Sequence, residues 1–137
     1  MFLLNVKHEG KYDAELNIVF VKFINKPLSI EDVDYVISEN ERWFKKGGKN
    51  KVWGIADVSE MGVPPPKMIK DFQKKEQLLA DKYVIDSCVF CPNPFERIAT
   101  QLFNVIKRKK HPIFKTMEEA IEWVRKEQET RGRFEPL

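Results

Sequence analysis

Asp57 and Ser59 stand two positions apart at the end of an apolar run, and they are the first residues in this sequence to ask for a chemical role. A carboxylate at the end of a strand could serve as a general base or nucleophile, but it needs a partner. No second carboxylate, His or basic residue is evident at a matching strand end, so the structural reading of Asp57 is favoured. A Ser beside an Asp at such a place more often bonds its own turn. Cys88 and Cys91 form C-x-x-C, yet they fall in a strand-like stretch, where side chains three apart point to opposite faces. A redox pair needs both sulfurs together at a helix start, and only Cys91 is near one. His8 and His111 belong to different turns, and two Cys at this spacing lack the second pair of a zinc site. No metal and no cofactor is indicated, and a non-enzyme is the expectation.

The elements that would position these residues are organised around Val52–Val58, in which only Asp57 is charged. Such a run does not alternate as a half-exposed strand does and is short for a buried helix, so it reads as a central strand covered on both faces. It opens into a loop ending in Pro64-Pro65-Pro66, which lacks the backbone donors to continue a ladder. Phe2–Lys7 and Glu15–Phe23 read as a hairpin around the polar turn His8–Asp13. Ser29, followed by Glu31 and Asp32, caps a helix over Ile30–Lys46 that stops at Gly47-Gly48. A second helix spans Lys67–Tyr83, its polar face widened by Gln73, Glu76 and Gln77, which places it at the margin of the core. Tyr83–Cys91 returns to strand character. Asn93 then caps a third helix whose stripe is Phe95, Ile98, Ala99, Leu102, Phe103 and Ile106. His111–Lys115 makes a last strand, and Thr116-x-x-Glu119 opens a final helix that fades past Glu127 into a tail.

The order β, β, α, β, α, β, α, β, α predicts an α/β fold: a single mixed sheet of about five strands, an antiparallel hairpin followed by parallel βα units, with four helices. A chain of 137 residues suits one domain over 1–137, with 128–137 a flexible tail. The 24 basic and 21 acidic residues are intermixed, so the footprint of a nucleic-acid binder is missing. The local excess Lys107-Arg108-Lys109-Lys110 falls at a predicted helix end, where cations meet the negative pole of the dipole. No apolar run reaches the roughly 18 residues that span a bilayer, Met1–Val6 does not read as a signal peptide, and two Cys suit a reducing compartment. A cytoplasmic protein without stable membrane insertion is the expectation.

In alternating α/β folds ligands favour the carboxyl edge of the sheet, so the candidate site gathers Asp57, Ser59, Met61, Pro64, Pro65 and Asn93. Each proline removes an amide that could cradle an anion, which favours an apolar or protein partner over phosphate or nucleotide. The aromatic residues Trp43, Phe44, Trp53, Phe90, Phe103 and Trp123 are core by default. Where such rings meet the short Gly54 and Ala56, a pocket for a lipophilic small molecule can form.

Trp53-Gly54-Ile55-Ala56-Asp57-Val58-Ser59 resembles the central strand of the STAS family (sulfate transporter and anti-sigma-factor antagonist), which ends in Asp-Leu-Ser. Arg97-Ile98-Ala99, Pro112-Ile113-Phe114 and Met117–Val124 are similar to its closing elements, and the resemblance covers about residues 12–126. It is greatest to the small stand-alone branch like stage II sporulation protein AA. The resemblance implies a non-enzymatic regulatory domain, like an anti-sigma-factor antagonist, that binds a protein partner through Ser59–Pro66 and the following helix. The alternative it implies is a carrier or sensor of a lipophilic small molecule, and a homodimer is compatible with either. Family regulators carry a phosphorylatable hydroxyl at the start of the helix after the central strand. Here prolines occupy that place, and Ser59 is the one hydroxyl between Asp57 and Ile69.

Overall fold

A computed structural model describes residues 3–94 and 111–137. Strand β1 (Lys7–Asp13) pairs antiparallel with β2 (Ile18–Ile24), and helix α1 (Ile30–Phe44) follows, ending in a short 3-10 turn. Strand β3 (Asn50–Glu60), helix α2 (Pro66–Tyr83), strand β4 (Val84–Phe90), strand β5 (Ile113–Phe114), helix α3 (Met117–Arg131) and strand β6 (Glu135–Pro136) complete the order. Among the described residues the sheet has six strands, in the order β1-β2-β3-β4-β5, with β6 on β3. β3 runs parallel to β2 and to β4, so it is the central strand that its unbroken apolar run requires.

The alternation of side chains along β3 assigns the two faces. Val52, Ala56 and Val58 join Val21, Phe23, Val36 and Phe44 under α1 and α2. Trp53 and Ile55 join Ile18, Ile85 and Cys88 under Ala120 and Val124 of α3. Trp53 is fully buried and meets Trp123 edge-on, with ring centroids 6.4 Å apart. The helix caps work as their sequences require: Ser29 Oγ accepts from the Asp32 amide at 3.1 Å and Thr116 Oγ1 from the Glu119 amide at 3.2 Å.

The hairpin differs from expectation. The polar residues His8–Asp13 are strand rather than turn, and Leu3, expected in the first strand, is 92% exposed. β1 is an outer strand whose side chains alternate between solvent and partial burial, so it carries no apolar stripe to announce it. The turn is Ala14–Asn17, closed by Asp13 Oδ1 accepting from the Leu16 amide at 3.0 Å and by Asn17 at φ 55°. Gly10 is essential to this packing, because a Cβ there would lie 2.0 Å from Nε1 of Trp43.

The end of the chain corrects a second expectation. Residues 128–137 are not a loose tail: α3 continues to Arg131, Gly132 caps it at φ 91°, and β6 pairs with Asn50 and Lys51. The Gly132 carbonyl accepts from Trp53 Nε1 at 3.3 Å, and the Leu137 amide donates to the Lys49 carbonyl at 3.0 Å. The helix predicted over Phe95–Ile106 and the basic run 107–110 lie outside the described residues.

Candidate functional site

The loop leaving β3 and the first turns of α2 stand over the α1/α2 face of the sheet and leave a cavity of about 160 Å³. Gly54 and Ala56 of β3 form part of its floor because they project little or nothing from the strand. Val58 lines it from the end of β3, Met61, Val63 and Pro64 from the loop, and Met68, Ile69 and Phe72 from α2. α2 starts on Pro65 and Pro66, so its first turn has no side-chain cap, and the Met68 and Ile69 amides close on the Pro65 carbonyl at 3.0 and 3.1 Å. Prolines fix the angle at which the loop enters the helix while withholding donors from the rim.

Polar groups reach the apolar lining at two places. Asn40, buried on α1, accepts at Oδ1 from Nε2 of His8 at 2.7 Å and donates from Nδ2 to Oε2 of Glu76 at 3.2 Å. Since Asn40 Oδ1 can only accept, His8 carries its proton on Nε2. Burial lowers the His8 pKa below the ordinary imidazole value, against the opposing pull of Asn40 and Glu39. Gln73, one turn before Glu76, faces the same cavity. At the other side Ser87 Oγ lies 3.2 Å from Nδ1 of His111.

Asp86 Oδ1 lies 4.0 Å from that same nitrogen. A hydrolytic triad needs the carboxylate and the hydroxyl on opposite ring nitrogens, so these three residues are not one. Asp86 instead holds Arg131 Nη1 at 2.7 Å and the Ser87 amide at 2.8 Å, joining β4 to the end of α3.

The six residues expected at the carboxyl edge are divided by the structure. Met61 and Pro64 line the cavity, with Pro64 buried. Asp57 and Ser59 do not: Asp57 Oδ1 accepts from the Ser59 amide at 2.9 Å and from its hydroxyl at 2.5 Å, so the pair closes its own turn. Ser59 borders an open polar cleft with Asn5, Asn25 and Lys26. Pro65 and Asn93 are exposed, outside the cavity. Sequence reasoning missed His8, Asn40, Gln73, Glu76, Ser87 and His111. By residue type Gln73 and Glu76 belong to the solvent face of α2, and their departure from a clean apolar stripe is the signal that could have found them.

The two cysteines lie apart as strand geometry demands. Cys88 packs under α3 with its thiol toward the Ala120 carbonyl, whereas Cys91 belongs to the α1/α2 face. Burial pushes the Cys88 thiol up to about 12, with Asp86 adding to the shift. Among the described residues, no group of three or more His, Cys, Asp or Glu could hold a metal ion, and no helix is long and apolar enough to cross a membrane.

No protein-family model matches the sequence, and comparison with curated protein sequences finds no significant match. Solved structures do match. An uncharacterised protein of the DUF3478 family from Shewanella loihica PV-4, described as having a SpoIIAA-like fold, superposes with a TM-score of 0.62 at 15% identity. The superposition covers 90% of this chain and 97% of that one. The fold is SpoIIAA-like. An anti-sigma factor antagonist from Mycobacterium paratuberculosis gives a TM-score of 0.63 at 12% identity, over 88% of this chain and 94% of that chain. At such identities the likeness concerns the fold. The chemistry of this domain must be read from its own cavity and rim.

Proposed function

We propose that this STAS-like domain is a non-enzymatic regulatory module that senses a compact lipophilic molecule, held in the cavity between the sheet and α2. The observation that carries this reading is the lining, in which Val, Ile, Met and Phe side chains close over a floor kept open by Gly54 and Ala56. The volume of about 160 Å³ limits the occupant. An apolar cavity near 150 Å³ admits a single aromatic ring, whereas drug-sized ligands fill roughly 300–1,000 Å³. A whole phospholipid is too large. The absence of catalytic chemistry is supported by Asp57, whose carboxylate is turned to Ser59 rather than to a cavity.

The same wall offers a route from ligand to partner. Met61, Val63 and Pro64 line the cavity from the loop at the carboxyl edge, where Val63 is 44% exposed and Leu28 and Ile30 are also open to solvent. A protein partner docking on this edge is therefore the second part of the reading, and the anti-sigma factor antagonist among its structural neighbours supports it. Ser59 is a poor phosphorylation switch in this arrangement, because its hydroxyl is held by Asp57.

Native mass spectrometry before and after organic extraction tests the sensor reading. A bound small molecule that extraction removes, and that Ala56→Leu prevents by filling the floor, is the expected result. A protein that carries nothing and whose melting temperature ignores every compact apolar probe overturns it.

A further inference from the structure

We infer that the outer face of α2 is a docking surface for an anionic membrane, to which it attaches the domain reversibly. The inference goes beyond the sensor reading and does not depend on what the cavity holds. From Lys67 onward the exposed residues of α2 are Lys67, Lys70, Lys74, Leu78, Asp81 and Lys82. Spacings of three and four put them on one face, and the row from Lys67 to Lys82 covers about 22 Å at the usual helical rise. Met68, Ile69 and Phe72 line the cavity from the same helix, so its apolar side is already occupied.

The charges of this row are not spent inside the protein. Lys75, on the flank of the helix, is neutralised by Asp34 at 2.6 Å and Asp71 at 3.0 Å, and Asp81 Oδ1 accepts from Gln77 Nε2 at 2.7 Å. Among the described residues Lys67, Lys70 and Lys74 have no carboxylate partner, and Lys82 Nζ lies 5.1 Å from the centre of the Tyr83 ring. Lys45, paired with Glu41 at 2.8 Å, reaches the same ring at 5.9 Å from the turn after α1 and extends the row.

Two features choose a lipid surface over an acidic polypeptide. The row is lysine alone, and ammonium groups act as point charges where Arg would offer the planar fork that fixes a carboxylate. Mobile anionic headgroups can meet such a row without a set register. Leu78 stands between Lys74 and Lys82 and is 72% exposed. At the headgroup level that side chain leaves water, a gain that a polar acidic chain does not supply. No helix among the described residues is long and apolar enough to cross a bilayer, so these groups attach the domain at the surface.

Co-sedimentation of the full chain at low salt with phosphatidylcholine vesicles, with and without about one-third phosphatidylserine, tests the assignment. Binding at least roughly tenfold tighter to the anionic vesicles, and lost as added salt screens them, is the expected result. Lys70→Gln with Lys74→Gln should abolish that preference, and Leu78→Gln should weaken it severalfold. Lys7→Gln with Lys11→Gln removes the same charge from the exposed side of β1 and should leave the preference in place. Equal loss in the two pairs would show attraction by net charge alone and overturns the assignment to α2. Indifference to phosphatidylserine overturns it too. Binding to soluble polyglutamate without binding to the anionic vesicles would give the row to an acidic protein and likewise overturns it.

Discussion

The side-chain amide of Asn17 donates to the backbone carbonyl of Arg133 at 2.8 Å, joining positions 116 residues apart. The same nitrogen donates to the Lys51 carbonyl at 2.9 Å, and Oδ1 accepts from the Tyr12 hydroxyl at 2.8 Å. The Asn17 carbonyl accepts from the Trp53 amide at 3.1 Å, and its φ of 55° suits Asn better than most residues. One buried side chain thus closes the hairpin, starts the central strand and anchors the C-terminal segment. Asn17→Ala strands several of these groups and should cost about 3 kcal/mol in urea unfolding. Deleting residues 133–137 should cost less in the Asn17→Ala background than in the parent protein. Strict additivity would show that the two ends are not joined through Asn17.

Gly10 and Trp43 are expected to behave as one unit. Gly10→Ala puts a methyl group where the indole ring lies and should destabilise by about 1–3 kcal/mol. Trp43→Leu in the same chain removes the obstruction, so the double variant should recover part of that loss. If it recovers nothing, the penalty lies in the strand backbone rather than in the ring.

The pH profile of stability should show a step from His8. Its folded pKa lies below the unfolded value of 6.5, so the unfolded chain binds the proton more readily between the two. Stability is therefore fully present above 6.5 and falls as pH drops through the folded value. His8→Gln, which keeps a donor for Asn40, should flatten that step in melting curves recorded from pH 7.5 to 5. Asp32 adds a second, more acidic loss. Burial pushes its carboxyl up, but amide bonds from Leu28 and Asn5 prevail and hold it below 3.8. Its contribution is present above 3.8 and disappears as pH falls through the folded value. An unchanged step in His8→Gln would assign the first loss elsewhere.

Neither cysteine should react quickly in the folded protein. Cys88 and Cys91 are 1% and 0% exposed, and Cys88 has its thiol pushed up to about 12. An aromatic disulfide reagent should release colour in proportion to the unfolded fraction, with both thiols titrating in denaturant. Mild oxidation should yield no Cys88–Cys91 disulfide, since the side chains belong to opposite faces of the sheet. Rapid modification under native conditions would contradict this placement.

The central part of the fold was legible because β3 and its neighbours are apolar on both faces, a pattern that few arrangements besides a covered parallel sheet produce. α1 and α3 were equally plain through Ser29 and Thr116. β1 was not, since an outer strand with the sequence Lys-His-Glu-Gly-Lys-Tyr-Asp looks like a turn when burial is unknown. β6 was hidden by its length of two residues and by a partner more than eighty positions earlier in the chain. At the site, the short residues Gly54 and Ala56 marked a cavity floor, and Met61 and Pro64 its rim. The bonds from His8 to Asn40 to Glu76 left no local trace, because they join three elements across 32 and 36 positions.

The anchoring of β6 also bears on how the polypeptide is made. Asn17 emerges from the ribosome well before its acceptor at Arg133 and before the strand that covers Asn50 and Lys51. Translation of this region must finish before the earliest hairpin is locked. Until then the nascent chain exposes the start of its central strand, where chaperones and proteases can still reach it.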